Sequence, residues 1–233
     1  SECFIVNIDA MYYCASVENV KKEYRDHKNY VFIKGNVNNM DLVNYTLDTY
    51  KPEYVIHFAA QSHVQNSFTD ALLYTQDNVL GTHNLLECCR NNRDHIKKII
   101  HVSTDEVYGE SMLDKNEQEK TEQSILCPTN PYAATKAGAE LIAQSYNHSF
   151  GMPIIITRGN NVYGPNQYPE KLIPKFIKQL EENKPVTIQG DGSCVRAFLH
   201  VDDTAKAFER MLLNGKIGEI YNIGCDDGME YSV

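Results

Sequence analysis

Positive charge is scarce in this chain of 233 residues: 22 lysines and arginines stand against 31 aspartates and glutamates, a formal net charge of −9. No basic cluster occurs. That excludes a phosphate-backbone binder, because nucleic-acid affinity rests on neutralising many phosphates with Lys and Arg. No apolar run approaches the roughly 20 residues of a membrane-spanning helix. The first residues lack the charged stretch, apolar stretch and cleavage site of a secretory signal. The expectation is a cytoplasmic protein with neither a membrane nor a nucleic-acid partner. The seven cysteines are odd in number and show no C-x-x-C spacing, Cys88 and Cys89 being simply adjacent. They offer no metal motif and read as reduced thiols. Internal repeats and low-complexity tracts are also missing, and the charged stretch 114–122 reads as a solvated loop.

What the chain does contain is an ordinary globular composition, 42% hydrophobic and 23% charged, with enough length to bury a sizeable core. Short β-branched runs at 4–8, 30–33, 54–58, 98–103 and 154–158 alternate with helix-like segments at 40–50, 74–93 and 132–150. This alternation predicts an α/β fold, a doubly wound parallel sheet covered by helices. The runs are apolar almost throughout, as in strands buried on both faces. Gly151 and Pro153 end the third helix. After Arg158 the rhythm changes to Gly, Pro and Asn-rich segments with helices near 174–182 and 203–213, a loop at 190–193 and a late strand at 221–224. The predicted division is a nucleotide-binding domain over 1–158 and the start of a smaller domain over 159–233, interleaved with the end of the first.

Ligands of such sheets bind beyond the carboxyl ends of the strands, and the polar residues gather there. Asp9, followed by Ala10, Met11 and Tyr12, ends the first strand. Its carboxylate suits the two hydroxyls of an adenosine ribose, and equally suits the capping of a turn. Phe58, Ala59 and Ala60 follow the third strand and admit a cofactor close to the backbone, or simply permit a tight turn. Ser62 behind them can donate to a sugar hydroxyl; His63 reads as a structural hydrogen-bonder. The strongest local signal is Thr104-Asp105-Glu106 at the end of an apolar strand, since two adjacent carboxylates at the edge of a core are costly unless used.

Tyr132 and Lys136 open a helix four residues apart and so share one face. A free tyrosine titrates near ~10, so service as a base near neutrality requires about 4 kcal/mol of differential stabilisation, which a nearby ammonium and a cationic ring can supply. Asn160 and Asn161 offer donors and acceptors after the next strand. Lys171, Leu172 and Ile173 follow them. Beyond Gly190-Asp191-Gly192, Arg196 presents a planar fork suited to a diphosphate, or an ordinary surface charge.

Taken together, the segments 58–64, 103–109, 131–140, 158–174 and 221–224 resemble those of the dTDP-glucose and UDP-glucose 4,6-dehydratases, in the extended short-chain dehydrogenase/reductase superfamily. The resemblance implies NAD as cofactor, a nucleotide-sugar substrate, a homodimer, and no metal. By motif it implies that Tyr132 is the base at the sugar 4-hydroxyl, with Lys136 lowering its pKa and Thr104 sharing the hydrogen bond. Glu106 is implied to remove the carbon-5 proton and Asp105 to protonate the departing 6-hydroxyl. Asp9, Ala10, Met11, Tyr12, Asn36, Val37, Phe58, Ala59, Ala60, Asp77 and Asn161, with Tyr132 and Lys136, fall at cofactor positions. Ser62, Thr104, Asn160, Lys171, Leu172, Ile173, Arg196 and Asn222 fall at substrate positions.

Departures from that family are also legible. The chain has no Gly-rich turn for a pyrophosphate and begins at what would be the second strand, so a central strand and the rest of the smaller domain are expected to be absent, as in part of a longer protein. Asn36 stands for a usual Asp, and Asp77 for a usual Thr. A sugar-nucleotide 4-epimerase or decarboxylase of the same superfamily is the nearest alternative, but neither needs an Asp-Glu pair directly after the Thr. A non-catalytic NAD-binding scaffold is the other, and such a protein usually loses the Tyr or the Lys. The dehydratase reading requires the phenol at 132 and the acids at 105 and 106 to converge on one pocket.

Overall fold

The structure, a computed structural model, describes residues 3–110, 120–188, 195–224 and 231–232. The first half alternates strand and helix: β1 (Ile5–Asp9), α1 (Lys22–Arg25), β2 (Tyr30–Lys34), α2 (Met40–Tyr50) and β3 (Tyr54–His57). Two short helices, α3 (Val64–Thr69) and α4 (Ala71–Tyr74), lead through a π-helical turn at Thr75–Leu80 into α5 (Gly81–Asn91). β4 (Lys98–Thr104), a 3-10 turn at Asp105–Tyr108, α6 (Pro131–Phe150) and β5 (Ile154–Gly159) follow. The remainder comprises β6 (Asn161–Tyr163), α7 (Leu172–Glu181), β7 (Val195–Arg196), β8 (Phe198–His200), α8 (Val201–Asn214), β9 (Ile220–Ile223) and β10 (Tyr231–Ser232).

Strands β3, β4, β5 and β9 form one parallel sheet in the order β3-β4-β5-β9. Helices cover both of its faces, giving the expected doubly wound, Rossmann-like α/β architecture. Ile99, Ile154 and Ile156 point to one face and pack with Val43 and Leu47 of α2, Leu85, Leu86, Cys88 and Cys89 of α5, and Ala143 and Tyr146 of α6. Ile100, Ile155 and Ile223 point to the other face and meet Phe208 and Met211 of α8. This alternation follows from the two-residue period of a strand.

Among the described residues, β1 and β2 pair only with each other, in parallel register from Ile5 with Tyr30 to Asp9 with Lys34. No described strand joins β1 to β3, the place where a central strand was expected to be absent. The burial differs accordingly. β4 and β5 are covered on both faces, as their composition predicts. β1 and β2 are not, and Ile5 and Phe32 remain 54% and 37% exposed. Apolar composition expresses what a strand can bury; the neighbours decide what it does bury.

Three further differences from the sequence expectations have local causes. The uniform helix over 74–93 is instead α4, a π turn and α5, because Asp77 and Asn78 are drawn inward to polar partners described below. The two-stranded pairings β6-β8 and β7-β10 carry only two or three residues per strand, too few to show a period. The smaller helices start earlier than predicted, at Leu172 and Val201. The predicted loop at 190–193 and residues 114–119 of the predicted solvated loop lie outside the described residues.

Candidate active site

β3 ends at His57, opposite His101, whereas β4 runs on to Thr104. Thr104 then ends the strand as the N-cap of the 3-10 turn, its Oγ1 accepting from the Glu106 amide at 3.3 Å. Its hydroxyl donates to Asp105 Oδ1 at 3.2 Å. Gly109 closes the turn at φ +97°, and a Cβ there would lie 2.7 Å from the Cys127 carbonyl oxygen, so both the backbone angle and the space require glycine. Asn130 caps α6 by accepting from Ala133 N at 2.8 Å, and its amide nitrogen donates to Glu106 Oε2 at 3.0 Å. One side chain thus starts the helix that carries Tyr132 and holds the carboxylate opposite it. Pro131 sits in the first turn, where its missing N–H costs nothing.

Tyr132, Thr104, Asp105 and Glu106 therefore meet beyond the end of β4. Burial raises the Tyr132 phenol above its ordinary value, the Glu106 and Asp105 charges raise it further, and a hydrogen bond with Thr104 opposes them. A cation in the site, with Lys136 one helical turn from the phenol, would offset that rise. Burial, then the charge of Glu106, pushes the Asp105 carboxyl up to about 6. Arg196 acts on Asp105 in the opposite sense, which places its guanidinium on the acid side of the pocket. Burial lowers the Lys136 ammonium to about 8 against the pull of Glu140, and its Nζ donates to the Val102 carbonyl at 2.5 Å. The Tyr74 ring packs edge-on against Tyr132 at 6.4 Å.

The predicted cofactor residues line the carboxyl ends of β1, β2 and β3. Asp9 Oδ1 accepts from Met11 N at 2.6 Å, with Met11 at φ +56°, so the turn-capping role is realised at the same strand end. Ala10 and Val37 are half-buried beside it. Asn36 donates to the Tyr12 hydroxyl at 2.9 Å and accepts from Asn38 N at 2.8 Å. Phe58 and Ala59 are exposed and Ala60 half-buried, leaving the backbone after β3 open. Asp77 is nearly buried, with one carboxylate oxygen accepting from Asn38 at 3.0 Å and the other from Gln61 at 2.8 Å. It ties the turns after β2 and β3 to the π turn. Asn161 begins β6 and is half-buried.

On the substrate side, Lys171 Nζ donates to the Ser62 carbonyl at 3.4 Å, bringing together two residues 109 positions apart. Leu172 and Ile173 open α7, half-buried. The Asn160 amide donates to the Ile223 carbonyl at 3.0 Å, and its side chain lies against Gly224. Asn222 Oδ1 accepts from the Tyr108 hydroxyl at 2.7 Å, so its carboxamide oxygen is engaged by the protein itself.

Sequence reasoning missed several residues of this site. Asn130 carried a signal, an Asn immediately before a Pro at a helix start. Asn78 carried none: it accepts from Gln61 N at 2.7 Å and donates to Thr135 at 2.9 Å. Nor did the buried network beneath the acid pair. Arg158 grips Glu140 with Nε and Nη2 while Nη1 donates to the Tyr108 hydroxyl at 2.7 Å and to the Glu122 carbonyl at 3.1 Å. Arg158 and Glu140 are 2% and 0% exposed, and together they bind the end of β5 to α6 and to the 3-10 turn. A distinct cleft of about 310 Å³, lined by Gln144, Asn147, Ile154 and Ile220, lies at the opposite, amino end of β5 and β9. Among the described residues, no group of three metal-ligating side chains converges and no helix is long and apolar enough to cross a membrane.

A family model described as GDP-mannose 4,6 dehydratase matches residues 1–232. A trifunctional UDP-glucose 4,6-dehydratase/UDP-4-keto-6-deoxy-D-glucose 3,5-epimerase/UDP-4-keto-L-rhamnose-reductase of Arabidopsis thaliana is 50% identical over 220 residues, covering 94% of this chain and 33% of that protein. A dTDP-D-glucose 4,6-dehydratase of Dictyostelium discoideum is 47% identical over 229 residues, covering 95% of this chain and 52% of that one. The chain thus spans about a third to a half of the length of these relatives. A solved structure of DesIV, a dTDP-glucose 4,6-dehydratase from Streptomyces venezuelae with NAD and TYD bound, superposes with a TM-score of 0.89 at 36% identity, covering 97% of this chain and 67% of that one.

Proposed function

Because the chain belongs to the GDP-mannose 4,6 dehydratase family, we propose that it carries the acid-base machinery of an NAD-dependent nucleoside-diphosphate-glucose 4,6-dehydratase, a lyase yielding the 4-keto-6-deoxyglucose nucleotide from UDP-glucose or dTDP-glucose. One arrangement carries this reading: Thr104, Asp105 and Glu106 follow β4 directly, and Asn130, at the start of the helix that bears Tyr132, donates to Glu106 at 3.0 Å.

NAD fits the residues at two of its three parts. The Asp9 strand end suits the ribose, and the open backbone at 58–60 with the Tyr132–Lys136 pair suits the nicotinamide end; the sequence has no Gly-rich turn for the pyrophosphate. When bound, the nicotinamide supplies a hydride acceptor at the sugar's carbon 4 and a donor at its carbon 6. Tyr132 takes the 4-hydroxyl proton, with Thr104 holding that hydroxyl and Lys136 held beneath the phenol by the Val102 carbonyl. Glu106, aimed by Asn130, removes the carbon-5 proton. Asp105, whose carboxyl is pushed up to about 6, protonates the departing 6-hydroxyl. Splitting two adjacent carboxyls into one acid and one base is what a shared low-dielectric pocket favours.

Cofactor contacts are assigned to Asp9, Ala10, Met11, Tyr12, Asn36, Val37, Phe58, Ala59, Ala60, Asp77 and Asn161, and substrate contacts to Ser62, Asn160, Lys171, Leu172, Ile173, Arg196 and Asn222. The same reading extends to a cytoplasmic homodimer built on the helical segments 74–93 and 132–150, which the exposed apolar side chains of Leu80, Leu141 and Phe150 support. Incubation with UDP-glucose and with dTDP-glucose, followed for the 4-keto product, tests the assignment. Interconversion at carbon 4 without loss of water would replace it with an epimerase.

A further inference from the structure

Beneath the catalytic helix lies a set of buried polar groups that the proposed chemistry does not use. His101 is fully buried on β4, and neither ring nitrogen has a hydrogen-bond partner among the described residues. Ser103, two residues on and 6% exposed, has an equally unpartnered Oγ. Strand alternation points both side chains to the face covered by α5 and α6. Between them in sequence is Val102, whose carbonyl oxygen receives Lys136 Nζ. The Ile99 amide donates to Pro153, on the β5 side of β4, so the Val102 carbonyl, three residues on, faces the β3 side. There β3 has already ended at His57, and the lysine takes the place of a strand partner.

His57 extends the cluster. It pairs in register with His101, ring centroids 5.6 Å apart, and its Nε2 lies 2.9 Å from Thr82 Oγ1. Thr82 already gives its hydroxyl proton to the Asn78 carbonyl at 2.6 Å, so Nε2 is the donor and the neutral His57 ring carries its proton there. The titratable groups that act on His101 are Lys136 from α6 and His57 from β3; Tyr132 and Glu140 stand on the same helix as the lysine, and Arg158 of β5 is in register with Ser103. Burial, then Lys136, holds both imidazoles below their ordinary range, His57 to about 3, and for His101 the neighbouring His57 adds to it. Both rings are therefore neutral, and His101 has one donor and one acceptor to satisfy. An ammonium with two protons left, an imidazole acceptor and a hydroxyl are the two to four partners that an internal water requires.

We propose that Lys136, His101 and Ser103 enclose a bound water behind the reacting phenol, and that His101 acts through this water as a positioning residue for the lysine. The water accepts from Lys136 Nζ, donates to the unprotonated nitrogen of His101 and exchanges a hydrogen bond with Ser103 Oγ. A neutral ring gives the ammonium a second fixed partner without adding charge beneath the pocket. The consequence for turnover rests on the dehydratase reading; the hydration site rests on the buried groups alone.

Three measurements on the full chain test this. A high-resolution crystal structure is expected to show an ordered water within hydrogen-bond reach of Lys136 Nζ and a ring nitrogen of His101, lost in His101→Phe. The Lys136 titration, followed by NMR of labelled lysine, is expected to fall by about one pH unit in His101→Phe, to recover in His101→Gln and to move in the same direction in Ser103→Ala, which spares the ring. Steady-state kinetics is expected to show kcat reduced about tenfold in His101→Phe with KM for the nucleotide sugar unchanged and kcat recovered in His101→Gln. A dry chamber, or a His101→Phe protein that unfolds at higher temperature with its lysine titration unmoved, would overturn the proposal and make His101 a space-filling residue. If the unaltered protein forms no 4-keto product, the dehydratase reading fails, while the water and the lysine titration still decide the hydration site.

Discussion

Asp105 and Glu106 are neighbours in the chain with different surroundings, and the difference gives two predictions. The Asp105 carboxyl is raised from 3.8 to about 6, by burial first and by Glu106 second. Its folded value thus exceeds its unfolded one, and stability falls as pH rises from about 4 to about 6 and stays lower above that. Asp105→Asn should therefore stabilise the protein by about 3 kcal/mol at pH 8 and leave it unchanged at pH 4, as urea unfolding at the two pH values would show. Equal effects at both would remove the buried charge as the cause. Glu106 accepts from Asn130 and is assigned to the carbon-5 proton. Glu106→Gln should lower 4-keto-6-deoxy product formation by at least about a hundredfold, while substrate still elicits the absorbance of reduced nicotinamide. The carboxylate pair, the phenol and the lysine were legible from their types and spacing. Their titration was not, because it depends on which charges the fold brings near.

At the scale of elements, α6 shows how one residue serves two ends. Asn130 both caps the helix and donates to Glu106, so Asn130→Ala should cost about 1 kcal/mol of stability and reduce kcat as well. Asn130→Ser separates the two roles: the shorter hydroxyl can still accept from Ala133 N but does not reach Glu106. Thermal unfolding should return nearly to that of the parent while kcat stays low; recovery of both would confine Asn130 to capping. α6 was readable end to end, with Pro131 at its start and Gly151 in the left-handed conformation at its close. The π turn at Thr75–Leu80 was not. An apolar period reports which face is buried, whereas this turn follows from the polar demands of Asp77 and Asn78, whose partners lie 16 to 57 residues away.

For the whole molecule, cohesion is unequal. β4 and β5 sit between two helical layers, while among the described residues β1 and β2 pair only with each other. Hydrogen exchange should therefore be faster at the β1 and β2 amides than at those of β4 and β5; uniform protection would mean that the two sheets unfold as one. The Arg158–Glu140 pair joins β5, α6 and, through Tyr108, the acid-bearing turn. Arg158→Met would leave the buried Glu140 with the Gln144 amide but without its ion-pair partner, and should cost about 3–5 kcal/mol in urea unfolding. Replacing both partners with apolar residues should recover most of that stability, because no lone charge remains. The order of strands and helices, the helix carrying Tyr132 and Lys136, and the acid pair at the end of β4 were determined by the sequence alone, since local period, caps and breakers act over a few residues. Tertiary structure alone decided that Asp77 and Asn78 turn inward at the π turn, that Asn130 aims Glu106, and that His101 and Lys136 lie together. Those outcomes depend on partners distant in the chain, and burial and electrostatics act through space.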